Sequence, residues 1–223
     1  MNYVMCEFAL KLRGNKMKEK LGLNPWLSIW VRPRETIRAL ISYNVNYRFL
    51  LLSAFCGFIY MLQSSQFLSL GQESSLLSIL IVSLLLAIPI GYIVFNIAAV
   101  FMYFVGKLIK GKGSYKEVRA AIYWASVPNV VSSFLWIIMI IAFGKALFVT
   151  GFEENLPNSL IGMILSVAIL HIAIAIWGLI ILVKAIGEVQ GFSAWMGLLN
   201  TFLSWVALSI VLFIITWGVS LIL

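Results

Sequence analysis

The stretch SSLLSILIVSLLLAIPIGYIVFNIAAVFMYFVG, residues 74–106, runs for 33 positions without a formal charge. A hydrocarbon core of ~30 Å is crossed by ~20 apolar residues in helical form. This stretch therefore holds one membrane span with turns to spare, and does not comfortably hold two. Four further stretches share the property: residues 49–72, 120–144, 155–183 and 189–223. Spans are expected near residues 49–69, 77–105, 120–144, 159–184 and 196–222. Lipid offers backbone groups no partners, and no ten-residue alternation marks barrel strands, so the spans are read as helices. The expected fold class is all-α: a polytopic membrane protein with five transmembrane helices.

Composition agrees. Of 223 residues, 62% are hydrophobic and 11% charged, with a mean hydropathy of +1.04. Soluble domains carry about 25% charged residues, so this chain lacks the polar atoms to cover a water-facing surface. A free soluble enzyme and a disordered chain are both excluded.

Basic residues orient the bundle. Nine Lys/Arg precede the first span, none lies in the first loop, five lie between Lys107 and Arg119, and Lys145 and Lys184 stand alone in the third and fourth loops. Fifteen therefore fall on one side and one on the other. Cytoplasmic loops carry the excess of Lys/Arg, which places the N-terminus in the cytoplasm and the C-terminus outside, with a bacterial plasma membrane as the expected location. The net charge of +8 thus points to anionic lipid headgroups, which attract Lys/Arg at ~1 kcal/mol each, and not to nucleic acid.

Three regions follow. Residues 1–23 read as a basic tail, with Lys11, Lys16, Lys18 and Lys20 among apolar residues and Gly14 interrupting. Residues 24–48 hold two short amphipathic helices within 25–43, lying at the inner leaflet. Asn24-Pro25 is a helix start, Trp26 and Trp30 share a face with Ile29, and Pro33 restarts the pattern. Residues 49–223 form the five-helix domain.

Inside the spans, Pro89 with Gly91 and Pro128 are expected to kink the second and third helices. The polar residues there are Asn96, Asn129, Ser132, Ser133, His171, Asn200 and Ser204. Interhelical hydrogen bonds between such groups, worth ~0.6–2 kcal/mol, fix helix pairing. His171, the single histidine, is expected to be a structural hydrogen-bonding group, because a proton relay needs a carboxylate or second histidine and the spans contain neither; Asn96 and Asn200 are candidate partners that the sequence alone does not pair with it. Aspartate is absent from the chain, which removes aspartate-dependent intramembrane chemistry. One histidine with Cys6 and Cys56 makes neither a metal site nor a disulfide framework. Gly111 and Gly113 follow a span and not a strand, so they read as a tight basic loop. The expectation is a non-enzyme without cofactor.

The run Asn24-Pro-Trp-Leu-Ser-Ile-Trp-Val-Arg-Pro-Arg-Glu-Thr-Ile-Arg-Ala-Leu-Ile41 resembles the entry segment of the Yip domain family (Ypt/Rab-interacting membrane proteins), in its bacterial branch. The resemblance continues through Lys110-Gly-Lys-Gly-Ser-Tyr-Lys-Glu-Val-Arg119, Tyr123-Trp-Ala-Ser-Val-Pro128 and Glu188-Val-Gln-Gly-Phe-Ser-Ala-Trp195. It implies a five-helix membrane domain with a cytoplasmic N-terminus. Eukaryotic members bind prenylated Rab-type GTPases and one another in vesicle traffic; their acidic, tyrosine-containing motif near the first span is not evident in this chain. The loops holding Gly113-Ser-Tyr and Gly191-Phe-Ser share a faint pattern, read either as a repeated helical hairpin or as common turn chemistry.

The expected role is a membrane-organising or protein/lipid-interaction scaffold. Arg32, Arg34, Arg38, Lys110, Lys112, Lys116 and Arg119 would contact anionic lipid headgroups or an acidic partner. Other membrane proteins or a second copy are the expected protein partners. The alternative is a small permease or lipid-handling channel running along the Pro89 and Pro128 kinks past His171. A reporter fused after Leu223 is expected to be active only in its extracytoplasmic form; cytoplasmic activity at that position would reverse the orientation.

Overall fold

Asn24 opens the first helix. Its side chain accepts a hydrogen bond from the Trp26 N–H at 3.2 Å, and Pro25 occupies the first position, where its missing N–H costs nothing. This helix, α1 (Pro25–Val31), ends at Arg32, and α2 (Pro33–Tyr43) begins immediately on a second proline. The computed structural model describes residues 21–152 and 156–220. The basic tail with its lysines, together with Cys6, therefore lies outside the described residues up to position 20. No strand occurs among those described.

Beyond α2 the chain forms α3 (Phe49–Phe67), α4 (Leu76–Leu108), α5 (Tyr115–Ala125), α6 (Val127–Phe143), a 3-10 turn (Gly144–Phe148), α7 (Asn158–Gln190) and α8 (Ala194–Ser220). Five helical segments are long and apolar enough to cross a membrane, with α5, α6 and the 3-10 turn making up the third. The outward faces are strongly apolar, with Leu85, Ile141, Phe202 and Phe213 among many exposed large residues, as a lipid-facing surface requires.

Two prolines behave differently. Expected to kink the second span, Pro89 leaves α4 running as one helix through it. Pro128 does more than bend the third span, which was expected as a single helix over 120–144. Lacking an N–H for the carbonyl four residues back, it ends α5 at Ala125, and α6 starts afresh at Val127. At the junction the Ser126 hydroxyl donates to the Tyr123 carbonyl at 2.6 Å and the Cys56 thiol donates to Ser126 at 3.2 Å. The fourth span, α7, also exceeds its expected end at 184, continuing to Gln190.

The tightest pair is the α3–α4 hairpin. Hydrocarbon gives apolar helices no reason to leave lipid, so small residues that let backbones approach closely carry such contacts. Ser53 and Gly57 on α3 face Ser83, Ala87 and Gly91 on α4, all of them buried. A Cβ at Gly57 would collide with the Ala87 carbonyl, and one at Gly91 with the Ser53 carbonyl. At the far end of this hairpin, the Gly71 N–H donates to the Phe148 carbonyl at 2.7 Å, and Phe148 stacks on Trp136.

The apolar faces of α1 and α2 meet protein. Ile29, Ile37 and Leu40 are buried in one cluster with Trp124, Ile181 and Ile186. The two short helices thus pack across the basic end of the bundle, where α2 lies on α5 and α7.

Gly57→Leu or Gly91→Leu is expected to destabilise the detergent-solubilised protein by about 3 kcal/mol or more. Gly162→Leu, where a Cβ meets nothing, is expected to stay within about 0.5 kcal/mol. Equal melting temperatures for the three variants would dismiss the close-approach account.

Candidate functional site

Helices α4 and α7 each contain 33 residues, about 50 Å at the helical rise. That exceeds a ~30 Å core, so helices of this length outreach it unless they tilt. At their basic ends they meet α1, α2, α5 and the loop 109–114.

Gln190 sits at the centre of this end, only 1% exposed. Its Oε1 accepts from the Gly113 N–H at 3.1 Å, its backbone carbonyl accepts from the Lys112 N–H at 3.1 Å, and its Nε2 donates to the Met102 carbonyl at 3.4 Å. Cβ atoms at Gly106 and Gly111 would strike the same carboxamide, and one at Gly113 would crowd Val189. The glycines of the basic loop are therefore the walls of a slot for Gln190. The two loops with a shared glycine-aromatic pattern are bound to each other here. Sequence reading missed Gln190; the signal was an uncharged amide at the end of an apolar helix, beside three glycines 77 to 84 residues earlier.

The loop is fixed on its other side by a capping box. Ser114 Oγ accepts from the Glu117 N–H at 3.4 Å, and the Glu117 carboxylate accepts from the Ser114 N–H at 2.8 Å. Lys107, Lys110, Lys112 and Lys116 remain exposed around it. Lys107 Nζ donates to the Gly111 carbonyl at 3.3 Å and lies 5.4 Å from the Tyr103 ring centre.

The seven expected surface cations divide. Arg34 donates to the Phe192 carbonyl at 3.2 Å, and Arg38 pairs with Glu188 at 2.7 Å, tying α2 to the end of α7 and the loop beyond. The Glu188 hydrogen bond, and then its charge, hold the Arg38 pKa above its ordinary value. With its Arg side exposed, this pair aligns elements more than it stabilises them. Arg119 donates to Asn96 at 3.1 Å and Asn46 at 2.7 Å, and its guanidinium lies 4.4 Å from the Phe49 ring centre. These three tie elements to one another, Arg38 from an exposed position. Arg32 lies 3.6 Å from Glu35 on an open surface, whereas Lys110, Lys112 and Lys116 make no ion pair among the described residues.

The intramembrane polar residues pair otherwise than expected. The Asn96 carboxamide oxygen takes the Tyr115 hydroxyl at 2.5 Å together with Arg119. Asn200, buried near Gly106, receives the Ser204 hydroxyl at 3.2 Å. Asn129 lines a cavity of about 180 Å³ with Cys56, Ser126 and Ser132. His171 reaches neither Asn96 nor Asn200: its Nδ1 lies 3.1 Å from the Val167 carbonyl, one turn back on its own helix. The expected pairings failed because helix rotation, which a sequence does not fix, turns His171 toward α3 and α6. No group of three His, Cys, Asp or Glu residues able to hold a metal occurs among the described residues.

A model of the Yip1 domain matches residues 27–216. No curated protein and no solved structure gives a significant match. The matched region contains Gln190, its glycine slot and the three arginine struts.

Gln190→Leu is expected to leave the Gly113 N–H unpaired, costing about 1–3 kcal/mol and raising amide exchange across residues 110–114. Lys184→Gln, on an exposed site, is expected to change stability by no more than about 0.5 kcal/mol. Unchanged exchange in the Gln190 variant would remove it as the lock of this loop.

Proposed function

The chain belongs to the Yip1 domain family, and from that premise we propose that it is a non-catalytic membrane scaffold whose basic end is cytoplasmic and recruits anionic lipid headgroups. The carrying observation is the loop 107–116: four exposed lysines on a backbone held by Gln190 on one side and a capping box on the other. A floppy basic segment loses conformational freedom when it binds. This one is already ordered, so its lysines meet a charged surface with that cost removed. Arg32 extends the same surface, while Arg34, Arg38 and Arg119 support the reading by holding α2, α5 and α7 in place.

A cytoplasmic basic end would suit the role. The inner leaflet is rich in anionic lipid and draws juxtamembrane cations at ~1 kcal/mol each. Protein partners with acidic faces would meet the same lysines, and the Rab-type GTPases bound by eukaryotic family members belong to this reading only as that class of partner.

Replacing Lys110, Lys112 and Lys116 together by Gln is expected to lower the share of anionic lipid that copurifies in mild detergent. The difference should shrink at high salt, where a Debye length of about 3 Å at 1 M screens exposed charge. Anionic lipid retained at the parental level would overturn the lipid reading, and loss of an acidic protein instead would move the function to a protein partner.

A further inference from the structure

One side of α3 carries a ladder of polar groups that the lysine end of the molecule does not use. Cys56, Tyr60, Gln63 and Gln66 follow one another at spacings of four, three and three, so they share a face of the helix. Gln66 lies in the last turn of α3, at the end of the bundle opposite the lysines. Cys56, at the inner end of the ladder, is bonded to Ser126 at the break between α5 and α6. Tyr60 is 50% exposed, and Gln63 and Gln66 are exposed as well. Hydrocarbon neither donates nor accepts hydrogen bonds, so groups like these are costly against lipid.

Open space runs beside the ladder. A cavity of about 370 Å³ lies between α3, α6, the 3-10 turn and α7, with Gln66 and Gln63 in its wall. Gln63 also lines a second cavity, of about 180 Å³, together with Cys56, Tyr60, Ser126, Asn129 and Ser132. The two spaces therefore adjoin at Gln63, and the inner one ends at the break in the third span. Neither is lined by Asp, Glu, Lys or Arg. Among the described residues, the side-chain hydrogen bonds around the inner cavity are those of the Cys56 thiol to Ser126 at 3.2 Å and of Ser126 to the Tyr123 carbonyl at 2.6 Å. Tyr60, Gln63 and Asn129, all three exposed, keep free donors and acceptors. A water needs ~10–15 Å³ and two to four polar partners, and this cavity has room and partners for several. The backbone gives the same indication, because non-helical chain at membrane depth is tolerated where protein buries it or water reaches it.

We infer that α3 and α6 flank an aqueous vestibule, which leads from the end opposite the lysines to the break at Ser126 and admits small uncharged polar solutes. Hydroxyls and carboxamides both donate and accept, so Tyr60, Gln63, Gln66 and Asn129 replace the hydrogen bonds that such a solute gives up in bulk water. An ion finds no counter-charge in the lining and would be desolvated without compensation. The vestibule uses none of the residues of the lysine loop, so either assignment stands or falls without the other.

The test uses the full chain in phosphatidylcholine nanodiscs, with Cys6→Ser and Cys56→Ser as background and Gln66→Cys, Gln63→Cys or Asn129→Cys added singly. Methanethiosulfonates react with the thiolate, and a thiol in hydrocarbon keeps its proton, so the rate reports water at each position. With the uncharged hydroxyethyl reagent, all three cysteines are expected to react about tenfold or more faster than Leu85→Cys on the exposed apolar side of α4. The anionic sulfonatoethyl reagent, scaled to its rate with a free thiol, is expected to reach Gln66→Cys but to react at Asn129→Cys about tenfold or more slowly than the uncharged one. Rates at Gln63→Cys and Asn129→Cys no higher than at Leu85→Cys would mean a dry groove and overturn the inference. Equal scaled rates of the two reagents at Asn129→Cys would overturn the restriction to uncharged solutes. Should a variant not fold, hydroxyl-radical footprinting of the parental protein decides: oxidation is expected at Tyr60 and not at exposed, apolar-flanked Phe213, and equal protection of the two would overturn the vestibule.

Discussion

Helix length against bilayer thickness is the constraint on which this molecule turns. Two helices of 33 residues outreach the hydrocarbon by ~20 Å if they stand near the normal. Their basic ends form a platform. Amphipathic α1 and α2, unable to span, bury Ile29, Ile37 and Leu40 against it, and the Gly-rich loop closes over Gln190. Even the break at Ser126 belongs to this arrangement. It separates α5, whose residues Val118 to Ala125 are all buried apart from Arg119, from α6, the continuation of the same apolar segment.

Packing inside the bilayer obeys a different rule from packing at the platform. Within lipid, contact comes from backbones drawn close at Gly57 and Gly91, where a Cβ would strike a neighbouring helix. At the platform, contact comes from aromatic and polar side chains. Tyr123 and Trp124 are fully buried there, Trp26 meets Trp124 edge-on at 5.5 Å, and the Tyr123 hydroxyl reaches the Val45 carbonyl at 2.7 Å. The change from small to aromatic residues follows the change of solvent. Water drives large rings inward, and lipid does not.

Span number, helical class and the short helices on Pro25 and Pro33 were legible because they rest on local signals: charge-free length, cap chemistry and proline geometry. The partners of Arg34, Arg38 and Arg119 were not. A cation near a membrane reads as surface charge until its neighbour is known, and those neighbours lie up to 158 residues away. Lys110, Lys112 and Lys116 are exposed for the complementary reason, since their loop carries glycines instead of packing residues. His171 shows the limit most clearly. Its depth was readable, but its azimuth on α7 was not, and azimuth decides that it faces Gln63 and Trp136 in place of Asn96.

The slot for Gln190 also carries information about time. Its glycine walls and the amides of Lys112 and Gly113 emerge from the ribosome well before their partner, 77 residues ahead in the case of Gly113. Until α7 has been synthesised through its last turn, that loop has two dangling donors and the platform has no keystone. In chain order, therefore, the small residues of the α3–α4 hairpin are complete long before the residue that closes the basic end.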